Sequence, residues 1–260
     1  MHKLLGIIFL LLLQFTTLNA DKVYNRPASI LAAGNLKFVF PQMIKEFYKK
    51  YPNASVHIQY NASGILADSI LKGKGYDIFF SANVTYPKKV YAAKKSITAP
   101  KNYAQGLLIL FVPSNLSLSK KRLSILADKN IKNITVANKA SAPYGVAAIE
   151  VLKNSKGYEN ILKKIRYSSD VATAIDNVIW HSDAGFLSKS ALYMIPDNRK
   201  TKGVDWINID TELYTPIIQA YVVSKDGLTN DNAKKFLTFI ESEAGQKIFK
   251  TNGYKNINPQ

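Results

Sequence analysis

Residues 28–51 read ASILAAGNLKFVFPQMIKEFYKKY, and this stretch decides the fold. Its first six residues are small and apolar without alternation, as a strand buried on both faces requires. Gly34 and Asn35 break the run. Beyond them Phe38, Phe40, Met43, Ile44, Phe47 and Tyr48 recur at helical spacing, which predicts a helix over 36–51. Pro41 falls inside it. Proline lacks an N–H and clashes with the preceding turn, so a kink, or an irregular start before Pro41, is expected. A buried strand, a glycine-bearing turn and an amphipathic helix together make the first half of a βαβ unit.

The alternation continues outward. Strands are expected at 55–60, 77–81 and 107–112, with helices at 65–72 and 88–95. A second series places strands at 134–137, 165–167 and 184–187, with helices at 145–154 and 172–180. An apolar strand at 217–223 and helices over 232–251 close the chain. Two such series predict an α/β fold of two lobes, with two mainly parallel sheets and a ligand cleft between them. The chain is expected to cross near 104–112 and 214–223. Lobe 1 is then 21–108 with 219–260, and lobe 2 is 109–218.

Upstream, Met1-His2-Lys3 precedes an apolar run from Leu4 to Leu13, and Ala20 stands before Asp21. Residues 1–20 therefore read as a cleaved signal peptide of a periplasmic protein, because the run is shorter than the ~20 apolar residues of a membrane span. The chain has no cysteine, which excludes disulfides and thiolate chemistry and leaves no site for a lipid anchor. Its three histidines, one of them in the signal, argue against a histidine metal site, and no metal-cation ligand or cofactor is expected. The net charge of +17 comes from lysines scattered along the chain. It therefore reads as solvated helix faces and a field that draws anions in, with no nucleic-acid partner.

Four expected strand-to-helix junctions are rich in small or capping residues: Gly34-Asn35, Asn61-Ala62-Ser63-Gly64, Ala142-Pro143-Tyr144-Gly145 and Ser169-Asp170-Val171. Helix starts offer free N–H groups and the positive end of the helix dipole, so four of them facing one cleft would make an anion site. Singly, Asn35, Ser63 and Asp170 are ordinary caps, and Gly34, Gly64 and Gly145 ordinary turn residues. Composition alone reads a two-lobed anion binder.

These junctions, in order, together with Tyr76-Asp77-Ile78-Phe79-Phe80-Ser81-Ala82-Asn83, resemble the periplasmic molybdate-binding proteins of ABC importers, collinearly from about Ile30 to Phe249. The resemblance implies a type II periplasmic-binding fold that closes over molybdate or tungstate. It implies that Asn35 donates through its side-chain amide and main-chain N–H, and Ser63 through its hydroxyl and N–H. Tyr144 and Val171 would each give a main-chain N–H, leaving the Tyr144 ring of little consequence for binding. Gly34 would permit close approach. Ser188 stands where some members carry a tyrosine. The implied partners are an inorganic oxyanion and the membrane permease of an ABC transporter, with the protein itself a monomer.

Two alternatives remain open: a binder of another oxyanion such as sulfate, and a secreted hydrolase. A carboxylate ligand would call for an arginine fork, and none of Arg26, Arg122, Arg166 and Arg199 falls at a junction. Neither Ser63 nor Ser169 lies in a nucleophile elbow, so no catalytic residue is assigned.

Overall fold

The computed structural model describes residues 26–113, 118–155 and 157–257. The expected signal segment lies outside them. Among the described residues no helix is long and apolar enough to cross a membrane.

The first sheet is built on β1 (Ala28–Ala33). It pairs in parallel with β2 (Val56–Asn61) on one side and β3 (Ile78–Ser81) on the other. β10 (Ile217–Val223) runs antiparallel beside β3, and β4 (Lys101–Gly106) antiparallel beside β10. The second sheet repeats the plan. β6 (Ile134–Ala137) pairs in parallel with β7 (Ile165–Ser168) and β8 (Ala184–Ser188). β5 (Leu108–Phe111) runs antiparallel to β8, and β9 (Trp206–Asn208) antiparallel to β5. In each sheet four strands run one way and a single strand, β10 or β5, runs against them, so the sheets are mainly parallel, as expected, with one antiparallel member each. β5 and β10 each arrive from the other sheet, with no helical crossover to return them to the parallel direction.

The helices are α1 (Phe40–Lys50), α2 (Ser63–Leu71), α3 (Thr85–Ala92), α4 (Leu118–Lys121), α5 (Pro143–Lys153), α6 (Tyr158–Leu162), α7 (Val171–His181), α8 (Lys225–Thr229), α9 (Asp231–Glu241) and α10 (Glu243–Thr251). The single helix expected over 36–51 is two pieces. Gly34–Phe38 forms a 3-10 turn, Val39 is the junction, and α1 begins at Phe40 with Pro41 in its first turn. There the missing N–H costs nothing, since first-turn N–H groups have no helical acceptor. The expected irregularity before Pro41 is thus present as a change of helix type. β4 escaped sequence reading because KNYAQG has no apolar run, and β9 because it is three residues long.

Aromatic rings fill the first lobe. Phe40 stands edge-on to Phe80 at 5.5 Å and to Phe236 at 5.7 Å, and Phe47 edge-on to Phe236 at 5.2 Å. That geometry sets the positive ring edge against a negative face. The second lobe is mainly aliphatic, around Leu108, Leu110, Ile134, Val136, Leu152 and Leu187. Ala33, Phe38, Ala62 and Ala82 of the first lobe pack into that second cluster, so the two lobes are pressed together.

One carboxylate pins the start of the described chain. Asp77, fully buried, accepts from Arg26 Nη1 at 2.7 Å and Nη2 at 2.6 Å, from the Ser29 N–H at 2.7 Å and from Asn230 Nδ2 at 3.1 Å. The Arg26 side chain is 42% exposed, so water screens the ion pair and the buried hydrogen bonds dominate. Asp77→Ala should lower stability by about 2 kcal/mol by stranding the Ser29 and Asn230 donors. Urea unfolding reads this directly, and a variant with the wild-type midpoint would refute the pin.

Candidate functional site

Four helix starts meet where the lobes touch. β1 runs into the 3-10 turn, β2 into α2, β6 into α5 and β7 into α7. Each start follows the carboxyl end of a parallel strand, the place where open α/β sheets bind ligands. The Gly64 N–H donates to the Ser141 carbonyl at 2.9 Å, and the Tyr86 hydroxyl to the Ala140 carbonyl at 3.3 Å. A Cβ on Gly34 would stand 3.3 Å from Asp170 Oδ1 and 3.5 Å from the Ala172 nitrogen. What Gly34 approaches closely is therefore the start of α7.

The donors at these starts are nearly all spoken for by local partners. Asn61 Oδ1 accepts from the Ala62 N–H at 2.8 Å. Asp170 Oδ1 accepts from the Ala172 N–H at 2.7 Å and the Thr173 N–H at 2.9 Å, so its carboxylate serves its own helix as a cap. Pro143 opens α5 without an N–H. Among the main-chain N–H groups that remain, each start contributes a buried one: Asn35, Ser63, Tyr144 and Val171. Among the described residues none of these four meets an acceptor. Ser63 Oγ accepts from the Ala82 N–H at 3.0 Å, and its own hydrogen meets no acceptor among the described residues. All four residues are at most 4% exposed. A buried donor left unpaired costs about 1–3 kcal/mol, so this concentration of them calls for an acceptor-rich ligand.

The side chains of Asn35 and Tyr144 have partners that no local sequence signal marks. The Asn35 amide nitrogen donates to Gln219 Oε1 at 3.0 Å and to the Tyr254 hydroxyl at 2.8 Å, and its Oδ1 is buried without a partner. The Tyr144 ring, expected to be of little consequence, accepts from Gln219 Nε2 at 3.0 Å through its hydroxyl and so links the lobes. Burial pushes the Tyr144 and Tyr103 hydroxyls well above the usual tyrosine value, and Tyr254 upward too, so all three keep their protons near neutral pH. Ser188 is buried one step aside. Its Oγ lies 3.0 Å from Ser190 Oγ, and nothing in its bonding turns it toward the four N–H groups.

Gly106 ends β4, just before the chain enters the second sheet. A Cβ there would fall 2.2 Å from the Tyr144 hydroxyl and 2.6 Å from Gln219 Nε2, so only glycine lets that link form. Sequence reading missed Gln219, Tyr103 and Tyr254. The available signal was an amide inside the apolar run IIQAYVV of β10. A rim cavity of about 140 Å³ lies on the same seam, lined by Gly34, Lys37, Asn61, Asp170 and Asp176 among others. A larger cavity, about 540 Å³, lies between α1 and α10 and touches none of the four starts.

The family model described as bacterial extracellular solute-binding protein matches residues 28–255. The molybdate-binding protein ModA of Rhodobacter capsulatus is 26% identical over 230 residues, covering 86% of this chain and 87% of that one. The solved periplasmic molybdate-binding protein of Azotobacter vinelandii superposes with a TM-score of 0.78 at 24% identity, covering 90% of this chain and all of that one. The substrate-binding domain of a putative molybdenum ABC transporter from Clostridium difficile gives a TM-score of 0.65 at 27% identity, covering 89% and 99%.

The close seam itself is testable. A Cβ on Gly64 would stand 2.9 Å from the Tyr86 hydroxyl and 3.0 Å from the Ser141 Cα. Gly64→Ala should therefore weaken the closed form by roughly 1 kcal/mol, about fivefold in population. Small-angle X-ray scattering should show a larger radius of gyration at unchanged circular dichroism. An unchanged radius would mean that Gly64 does not set the closure.

Proposed function

From the premise that the chain belongs to the bacterial extracellular solute-binding proteins, we propose that it captures molybdate or tungstate in this seam and delivers it to the membrane permease of an ABC importer. The observation that carries the reading is the set of buried donors at four helix starts: the N–H groups of Asn35, Ser63, Tyr144 and Val171 and the Ser63 hydroxyl. A fully deprotonated tetrahedral dianion offers only acceptors and matches such a set. The helix starts add positive potential without a cation that would have to be desolvated. The net charge of +17 draws anions toward the mouth. Gly34 keeps the seam narrow. Ser188 is a subsidiary member of the site, acting by way of Ser190.

The rest of the reading belongs to the same proposal. The protein is periplasmic, exported by residues 1–20, and acts as a monomer without catalysis. Its two lobes, with β5 from Leu108 in the second and β10 from Ile217 in the first, move about the crossings at Leu107 and near Pro216. The names of similar proteins support molybdate above sulfate. Hydrogen phosphate carries a proton that a donor-only site leaves unpaired.

Calorimetric titration with molybdate, tungstate, sulfate and phosphate tests this. Molybdate or tungstate should bind tightly, sulfate more weakly, and phosphate scarcely. Ser63→Ala should cost about 1.5–3 kcal/mol, as the loss of a charge-assisted hydrogen bond does. At a thousandfold excess of a tightly bound anion the melting midpoint should rise by about ten degrees. Equal rises with sodium chloride would mean charge screening and no site.

The affinity should also be flat from about pH 7 to 9, because the titrating hydroxyls at the seam are tyrosines whose folded pKa is raised by burial. A raised pKa means stability fully present below the unfolded value of ~10 and lost as pH climbs through the higher folded value. Binding should therefore fail only in strong alkali. A loss near pH 7 would show that another group controls the site.

A further inference from the structure

Helix α10 ends in a turn that carries the residues after it to the joint between the lobes. Asn252 closes the helix, Gly253 follows with φ at +83°, and the Tyr254 N–H donates to the Phe249 carbonyl at 3.1 Å. A left-handed glycine followed by that bond is the helix ending that folds a chain back over its own last turn. The Tyr254 ring seats edge-on to Phe249 at 5.3 Å, the apolar contact that accompanies such an ending. One residue on, Lys255 and Gln105 exchange main-chain hydrogen bonds at 2.8 and 2.9 Å. Gln105 belongs to β4 and stands two positions before the crossing at Leu107.

The same strap, Thr251 to Lys255, touches the second lobe. The hydroxyl of Tyr193, on the 3-10 turn Lys189–Met194 after β8, donates to the Thr251 carbonyl. A Cβ on Gly253 would stand 3.0 Å from the Lys189 carbonyl carbon and 3.1 Å from the Ser190 nitrogen, so the strap lies directly against that turn. Between these ties Tyr254, 4% exposed, reaches Asn35. Its hydroxyl donates to the Asn35 main-chain carbonyl at 3.2 Å and meets the Asn35 side-chain amide at 2.8 Å. Asn35 sits on a 3-10 turn of five residues, a form whose own hydrogen bonds are poorly aligned, so its direction depends on outside support. Held at its carbonyl and at its side-chain end, Asn35 has little freedom left, and the direction of its N–H is fixed with it.

We propose that Tyr254 is a positioning residue for oxyanion capture, and that it fixes the Asn35 turn while its strap is clasped between the lobes. The inference rests on the oxyanion reading above, in which the Asn35 N–H is one of the donors. Tyr254 never touches the anion and acts through Asn35. The chain itself crosses between the lobes at Leu107 and near Pro216, and the strap adds a third tie that is not covalent. It can therefore break and re-form as the lobes move. When they part, the turn at Lys189 leaves Gly253, Tyr193 releases Thr251, and the support behind Asn35 loosens. When the anion draws them together, the strap is clamped and the Asn35 N–H is held in place. Closure and affinity are thereby coupled through the last residues of the described chain.

Calorimetric titration of the whole chain with molybdate tests this by comparing Tyr254→Phe with Tyr76→Phe. Tyr76 is buried to a similar degree, at 6% exposed, and its hydroxyl also donates to a main-chain carbonyl, that of Lys95 at 2.8 Å. It stands before the amino end of β3, whereas the helix starts lie at the carboxyl ends of strands. Both variants should lose similar stability to urea. Tyr254→Phe alone should also bind molybdate about tenfold more weakly, as the loss of one buried hydrogen bond does. Tyr193→Phe changes an exposed residue, and should weaken binding by about threefold through the loosened strap. Wild-type affinity in Tyr254→Phe would overturn the positioning role, as would equal weakening in Tyr254→Phe and Tyr76→Phe. Wild-type affinity in Tyr193→Phe would overturn the clasp between the lobes. If Tyr254→Phe does not fold, Tyr193→Phe decides alone. Wild-type protein that bound none of the oxyanions would instead sink the functional reading, a result distinct from binding that is indifferent to the Tyr254 hydroxyl.

Discussion

An N–H group at a helix start has no acceptor within its own helix, and in this protein four such groups are buried where the two lobes meet. That constraint organises much of what surrounds it. Water would satisfy these groups in an open cleft, but with the lobes pressed together it is excluded. The lobes can close with little penalty only over something that accepts many hydrogen bonds. For the proposed oxyanion, selectivity thus rests on the backbone, with the side chains acting mainly to remove surplus donors.

Local chemistry performs that removal one start at a time. Asp170 takes two N–H groups of α7 and leaves Val171. Pro143 occupies a position that would otherwise carry another donor and leaves Tyr144 first in line. Asn61 takes the Ala62 N–H, and Ser141 reaches across from the other lobe for that of Gly64. Pro41 begins a fresh helix at Phe40, so the segment carrying Asn35 is a short 3-10 turn whose direction is free of the α1 axis. The aromatic cluster beneath, with Phe40 between Phe80 and Phe236, fixes where α1 lies.

Both the chain order and the residue types of this arrangement were legible in the sequence. The buried strand at 28–33, the second series from 134, and the small residues at four junctions carry local signals: apolar runs, helical periodicity, glycine and proline. Of the expected caps Asn35, Ser63 and Asp170, only Asp170 caps its helix with its side chain, the others lying inside theirs. Pro41 announced a break before itself, and the break is there. The polar strand β4 and the three-residue β9 have no such signal and went unread. The single antiparallel strand in each mainly parallel sheet was also hidden, because strand direction depends on which sheet a connection enters, and no residue records that.

The sequence by itself determined an α/β chain with two series of units and small-residue turns between strands and helices, because these features are encoded within a dozen neighbouring residues. Tertiary structure alone decided which donors stay unpaired and what the Tyr144 ring is for. Gln219 lies 75 positions from Tyr144 and 184 from Asn35. Nothing local marks an amide in an apolar strand as the link between lobes. Its role comes from closure, which buries all three groups together, and a buried amide must satisfy its hydrogen bonds with whatever the fold brings beside it.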